Sequence, residues 1–274
     1  MIHSIFSSEH LELYGVLPFA LCRVDRPDFI TRRGLSPDRV KSVIVFAVPY
    51  LTGDTARSNL SLYARSPDYH RYCDALFVRL TSALTETYGK EFVGFADKSP
   101  ISETYAAAMA GLGVIGDNHL LITEKYGTFV FLGEILSEAA PEELGFSSEG
   151  DFSVQSCLHC GACRAACPMT ESGLDCLSAV TQKKGDLSPE EEAYLLRYGT
   201  AWGCDICQFC CPLVQKAVRS GAKTPIPFFY EDRVERLTTE LVEGMGDEEF
   251  AARAFSWRGK KTVLRNLKLL EKKS

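Results

Sequence analysis

The sequence predicts an α+β protein in which a mixed strand-and-helix part is followed by a cysteine-rich part, and three observations predict it. First, KSVIVFAVPY at 41–50 is a short apolar, β-branched run with the look of a buried strand, and EFVGFA at 91–96 is a second. Second, Cys73, Leu76, Phe77, Leu80 and Leu84 recur between them at helical spacing. Ser66-Pro67-Asp68 supplies the start of that helix as N-cap, first-position proline and first-turn acid, and Gly89 supplies its stop. Third, nine of the eleven cysteines lie between Cys157 and Pro212.

The remaining elements follow in order. Ser99-Pro100 starts a helix through the alanine-rich ETYAAAMAG, and HLLIT and TFVFLGEIL, separated by EKYG, predict a hairpin. Pro141 to Asp151 is acidic with glycine and serine and is the candidate linker. Glu190 to Arg197 predicts a helix, and one or two more are expected from Glu231 onward.

A chain of 274 residues with 46% apolar and 24% charged residues has the composition of a globular protein with ample core. Its longest apolar run, about Val43 to Leu51, is interrupted by Pro49 and is far too short to cross a membrane. MIHSIFSSEHLELYG has no basic region followed by an apolar core, so the protein is expected to be cytoplasmic, with metal ligation rather than disulfides as the use of its cysteines. A net charge of −6 does not advertise nucleic-acid binding. The end of the chain differs: Arg253, Arg258, Lys260, Lys261, Arg265, Lys268, Lys272 and Lys273 stand against Glu271 alone. A solvated helix face and a site for an anionic partner both fit that run.

CLHCGACRAACP reads C-x2-C-x2-C-x3-C-P, with Cys157, Cys160, Cys163 and Cys167 before Pro168. Three thiolates at that spacing wrap one iron–sulfur cube, and the fourth is carried by the proline turn to another. Structural zinc sites pair two separated C-x2-C knuckles and lack the triplet. The second group, GCDICQFCCP, places Cys204, Cys207, Cys210 and Cys211 before Pro212. A triplet of Cys204, Cys207 and Cys210 would leave Cys176 unused. However, Cys207-x3-Cys211-Pro212 copies Cys163-x3-Cys167-Pro168. The expected sets are therefore Cys157, Cys160, Cys163 and Cys211 for one [4Fe-4S] cluster, and Cys167, Cys176, Cys204 and Cys207 for the other, with Cys210 spare. His159 is expected to be exposed or to lie behind the ligands, and Cys73 to be a small buried hydrophobe.

Gly111-Leu112-Gly113-Val114-Ile115-Gly116 is a literal G-x-G-x-x-G, but a helix precedes it and a strand-like run follows. That inverts the context a dinucleotide site needs. Asp117-Asn118-His119 lacks the glycine of a D-x-H corrinoid motif, because Ile122 stands in its place.

Taken together, several segments resemble the epoxyqueuosine reductases, the cobalamin- and iron–sulfur-dependent enzymes of tRNA queuosine synthesis. LYARSPDYH resembles their Y-A-R-x-x-D-Y-H, ADKSPISE their V-D-x-x-P-x-x-E, and GLGVIGDNHLLI their G-L-G-W-I-G-K-N-x-L-L-I. YGTFVFLGEIL is similar to the strand that follows, and GCDICQFCCP to G-C-D-x-C-Q-x-x-C-P. The resemblance implies a nitroreductase-like cobalamin domain at 1–145, a two-cluster ferredoxin-like domain at 146–230 and a basic helical segment at 231–274. It implies a low-potential electron donor, tRNA as a partner, and Asp97 as proton donor. An apolar approach through EFVGFA is expected to raise the Asp97 pKa; an ordinary turn aspartate opening a helix is the plain alternative. Asp68, Tyr69, His70, Glu103, Gly113 and Gly116 become candidate cofactor contacts. The sequence departs from the pattern at Val114, Thr104 and Asp117, and the helical repeats that grip tRNA are expected to be absent. The same cofactors acting on a small molecule, or an electron carrier without its own substrate, remain open.

Overall fold

The run at 42–49 has no polar edge to offer water, and it becomes a strand buried on both sides. The computed structural model describes residues 1–149, 152–170, 172–174 and 176–272. Four strands form one antiparallel sheet in the spatial order β1 (Tyr14–Pro18), β2 (Ser42–Pro49), β6 (Val130–Ser137), β3 (Phe92–Phe95), and a short pair, β4 (Val114–Ile115) with β5 (Leu121–Ile122), stands apart. Ile44, Phe46 and Val48 point to one layer, with Phe6 of helix α1 (Ile2–Ser8) and Leu76, Leu80 and Leu84 of α3 (Tyr69–Tyr88). Val43, Val45 and Ala47 point to the other, with Ile30 of α2 (Pro27–Arg32) and Ala106 and Ala107 of α4 (Glu103–Met109). Helices on both faces of an antiparallel sheet give the α+β class. Each of the three fully buried leucines of α3 contributes roughly 1.5–3 kcal/mol of burial.

Three local expectations change. Helix α3 starts at Tyr69, with Asp68 as its N-cap accepting a hydrogen bond from the His70 N–H at 3.1 Å. Ser66, expected as the cap, is buried and donates instead to the Phe229 carbonyl at 3.0 Å. Gly89, at φ +62°, ends the helix as expected. Helix α4 starts at Glu103 because residues 97–101 are taken up by a turn and by the bridge from Ile101 to Val24. The expected hairpin does not form: β5 pairs with β4, while β6 lies between β2 and β3. With Ile135 in one core layer and Leu136 in the other, β6 is a central strand that needs a partner on each edge. EKYG closes only a small loop, through Thr123 and Gly127.

The cysteine-rich part carries α5 (Ala162–Ala166), α6 (Leu177–Gln182), α7 (Pro189–Tyr198), α8 (Ile206–Phe209) and α9 (Pro212–Arg219). Helix α7 matches its expected position and opens on a capping box of Ser188 and Glu191. Pro141–Leu144, in the expected linker, is a short turn with Leu144 buried against the sheet, and the linker's last residue, Asp151, lies outside the described residues. Cys211, Val214, Ile226 and Phe229 share one apolar cluster with Phe46 and Leu80, so the two parts pack through a common core.

Three helices rather than one or two close the chain: α10 (Thr239–Gly244), α11 (Asp247–Ala251) and α12 (Lys260–Glu271). Phe255, between α11 and α12, and Val263 and Leu267 of α12 pack on Trp202 and Leu60, and the Asn59 side chain bonds both backbone groups of Leu237. Much of the basic run is occupied structurally. Lys268 pairs with Glu243 at 2.9 Å, Arg265 donates to the Lys183 carbonyl at 2.7 Å, and Lys260 donates to the Met245 carbonyl at 2.7 Å. Lys273 lies outside the described residues. Among the described residues, no helix is long and apolar enough to cross a membrane.

Candidate active site and thiol sets

Strand β3 delivers the chain into a tight turn whose apex is Asp97. The Lys98 N–H donates to the Ala96 carbonyl at 2.6 Å, and Asp97 takes φ +59°, a conformation that non-glycine residues seldom hold. The Asp97 carboxylate then meets the first turn of α3. Its Oδ2 accepts from the Tyr69 hydroxyl and from His70 Nε2 at 2.9 Å, and His70 Nδ1 lies 2.8 Å from Asp68 Oδ1. The helix start explains the grouping: Asp68 caps the helix, so Tyr69 and His70 project from its first turn toward the β3 turn. Tyr69 is fixed in turn by stacking on Phe131 of β6, with ring centroids 3.8 Å apart.

The electrostatics correct one expectation. Burial pushes the Asp97 carboxyl up, as the apolar strand suggested, but the hydrogen bonds from His70 and Tyr69 outweigh it and hold Asp97 below the usual carboxylate range. The displaced proton sits on the imidazole. Hydrogen bonds to Asp68 and then Asp97 raise His70 to about 10. Asp68, His70 and Asp97 thus form a carboxylate–imidazolium–carboxylate chain with one transferable proton.

Asp97, His70 and Tyr69 line a cleft of about 900 Å³, and Cys176, Cys204 and Cys207 line it too. Asp68, Glu103 and Gly113 do not reach its wall. Gly113 serves packing: a Cβ there would lie 2.4 Å from the Ile122 carbonyl oxygen, so only glycine lets β4 close on β5. Gly116 lines a different cavity, together with Cys157, Cys160, Cys163 and Cys211. The Asn118 side chain touches both spaces.

The thiols therefore fall into two groups. Backbone pairing of Cys157 with Ile115 ties the first group to β4. In the second, burial, then the Asp205 charge and the neighbouring Cys176 and Cys167 thiols, push Cys204 up to about 11. Burial, then Cys204, Cys176 and Cys167, push Cys207 to about 12. Cys210 sits near Cys163 and Cys211, but its Sγ meets the carbonyls of Ala162 and Cys207, at 3.5 Å each, and it does not line the first cavity. His159 is exposed, with Nδ1 2.8 Å from Asp117 and Nε2 2.9 Å from the Ser156 hydroxyl. Cys73 is buried among the α3 core residues.

Two acids carry roles not anticipated from the sequence. Asp205, inside GCDIC, accepts from the Ser61 hydroxyl at 2.5 Å and the Leu62 N–H at 2.7 Å, which locks the cysteine loop to the cleft wall at Ser61 and Tyr63. Glu134 of β6 is fully buried on the α4 face of the sheet. Its signal was present: a lone acid in an otherwise apolar strand, at a position where alternation points inward.

A cleft that joins a proton-bearing chain to a set of cysteine thiols places the protein among the oxidoreductases. The family model described as epoxyqueuosine reductase QueG, DUF1730, matches residues 34–98, which hold β2, α3 and the Asp97 turn. The epoxyqueuosine reductase of Gloeobacter violaceus is 32% identical over 226 residues, covering 77% of this chain and 68% of that protein. The chain belongs to the epoxyqueuosine reductase family. In fold it is similar to the epoxyqueuosine reductase of Streptococcus thermophilus, with TM-score 0.76 at 22% identity over 98% of this chain and 79% of that one. It is also similar to an epoxyqueuosine reductase solved with an epoxyqueuosine-modified tRNA-Tyr stem loop, with TM-score 0.74 at 21% identity and the same coverage.

Proposed function

We propose that this chain reduces epoxyqueuosine to queuosine in tRNA with two [4Fe-4S] clusters and a cobalamin. The observation that carries the reading is the shared cleft: Asp97 with its His70 partner, and Cys176, Cys204 and Cys207, line one space. Cys157, Cys160, Cys163 and Cys211 would hold one cluster, and Cys167, Cys176, Cys204 and Cys207 the other; four-thiolate sets suit the cubes. The cleft's volume and its flat Tyr69–Phe131 wall suit a large planar cofactor. When bound, the corrinoid supplies low-potential electrons at the carbon–oxygen bond.

The epoxide loses its oxygen as water, which takes up two electrons and two protons. His70 Nε2 passes its proton to Asp97 Oδ2, Asp97 hands it on to the departing oxygen, and the second proton comes from solvent. Tyr69 fixes the carboxylate, and Asp68 stabilises the imidazolium. The electrons come from a low-potential donor through the clusters. The segments at 1–145, 146–230 and 231–274 serve as a nitroreductase-like cobalamin unit, a two-cluster ferredoxin-like unit and a basic closing segment. A tRNA substrate fits a relative solved with a tRNA stem loop, and a cytoplasmic location goes with that reading. On this chain the exposed Trp257, stacked by Arg258 at 3.7 Å, stands on the rim of the cleft as a surface for a nucleobase.

The test is anaerobic: clusters are reconstituted, cob(II)alamin and reductant are added, and epoxyqueuosine-tRNA is followed by mass spectrometry. Conversion to queuosine is expected, and Asp97→Ala is expected to abolish it while iron content and corrinoid binding persist. A corrinoid spectrum unchanged by the protein, with no retained corrinoid, removes the cobalamin reading. Retained corrinoid with unaltered tRNA moves the activity to another substrate, and full turnover by Asp97→Ala removes that residue from the mechanism.

A further inference from the structure

Glu134 sits mid-strand in β6, opposite Val45 of β2 and Phe95 of β3, and is fully buried in the apolar layer beneath α4. Neither of its carboxyl oxygens accepts a hydrogen bond of ordinary geometry from an N–H or O–H group. The Ser99 hydroxyl approaches it but spends its proton on the Ile101 carbonyl at 2.8 Å. What faces Glu134 is a second carboxyl, Glu103 at the first position of α4, whose Oε1 is also buried without a partner. The other titratable groups around the pair are Asp97, which adds negative charge to both, and the thiols of Cys22 and Cys73. Burial and the nearby Glu134 push Cys22 up to about 12, and Cys73, likewise raised mainly by burial, is raised next by Asp97, Asp74 and Asp68 and least by Glu103.

Two carboxylates cannot both stay ionised in such a layer. A single proton supplies the missing donor, because a protonated Glu134 can donate to Glu103. Glu103 in turn faces the backbone N–H of Asp97, the apex of the positive-φ turn. We propose that Glu103 and Glu134 share one proton, and that Glu103, seated by that proton, is the positioning residue that holds the Asp97 turn. The positioning half rests on the catalytic reading of Asp97; the shared proton does not. Loss of the proton sets two like charges against each other, drives Glu103 off the Asp97 amide and releases the turn.

The energetics fit this arrangement. Burial and then the charge of Glu103 push Glu134 well above the carboxylate range. Burial pushes Glu103 from its ordinary 4.5 to about 7, with the Glu134 hydrogen bond and the Asp97 N–H pulling the other way. The folded pair thus keeps protons that the unfolded chain releases near 4.5, so stability falls as pH rises above 4.5; past about 7, where Glu103 has titrated, the one shared proton stays with Glu134.

The test uses the protein isolated anaerobically with its clusters and carrying isotope-labelled glutamate. Infrared spectra at about pH 8, where Glu103 alone would be ionised, are expected to show the C=O stretch of a protonated glutamate, absent from Glu134→Gln. Glu134→Gln keeps the shape and offers an amide N–H to Glu103, so the fall of stability between pH 4.5 and about 7 is expected to flatten. A wild-type spectrum without that band overturns the shared proton, and this measurement decides even if the variant does not fold. An unchanged stability slope in a folded Glu134→Gln overturns it as well. For positioning, Glu103→Ala is expected to slow single-turnover reduction by at least ~10-fold with corrinoid binding retained, and Glu103→Gln to restore it. An undiminished rate in Glu103→Ala overturns that role. Absence of any turnover in the wild type counts against the proposed function and leaves the infrared result standing.

Discussion

His70 Nε2 lies 2.9 Å from Asp97 Oδ2, while His70 Nδ1 lies 2.8 Å from Asp68 Oδ1, so one imidazole joins the cap of α3 to the turn after β3. This contact decides where the site keeps its proton. A buried aspartate left alone would hold its own proton near neutrality; beside His70 it is ionised and the imidazole is charged.

Removing His70 returns the proton to Asp97 alone. In His70→Ala the rate of single-turnover reduction is expected to fall by roughly 10²-fold. The alkaline limb of its pH profile should move from about 10, where His70 titrates, down toward the carboxyl range. An alkaline limb that stays in place would show that His70 does not carry the proton.

The same group sets a pH dependence of stability. The folded pKa of about 10 exceeds the ordinary 6.5, so the stabilisation is complete below 6.5 and is lost as pH rises through 10. Urea midpoints measured across that window should decline in the wild type and decline less in His70→Gln.

Cluster ligation distinguishes neighbouring cysteines. Cys176→Ala is expected to lose one cluster's iron, because Cys176 lines the cleft beside Cys204 and Cys207. Cys210→Ala should keep both clusters, because its Sγ meets backbone carbonyls. Iron and sulfide analysis after reconstitution reads the difference, and the reverse pattern would exchange the two residues.

Trp257 is 57% exposed, which a core residue would not be. Trp257→Ala is expected to weaken tRNA binding by about 1–3 kcal/mol with the salt dependence unchanged. Lys261→Ala, if its ammonium meets phosphate, should lower the salt slope by about 1. Titrations of tRNA at several salt concentrations separate the two.

Core packing gives a control that spares the chemistry. Leu80→Ala, between the fully buried Leu76 and Leu84, should cost about 2–5 kcal/mol in denaturant unfolding while cluster content at low temperature stays intact.

Much of the site was legible because its signals are local. Cysteine spacing marks cluster chemistry within a dozen residues, and Ser188 with Glu191 marks the start of α7. The order of elements around the Gly-rich run at 111–116 was legible too, since α4 precedes it and β4 lies within it. The hairpin failed for the opposite reason. The choice of β2 and β3 as partners for β6 is made by residues more than thirty positions away, and the intervening turn offers no sign of it.

By itself the sequence determined the helices with strong caps, the apolar strands and the two cysteine groups, all products of neighbouring residues acting through backbone geometry and ligand spacing. Only the tertiary structure decided that Asp97 is ionised, that His70 holds its proton, and that Glu103 faces Glu134. Those properties depend on burial and on charges brought together from separate elements, and a buried carboxyl takes its pKa from the group it meets in space.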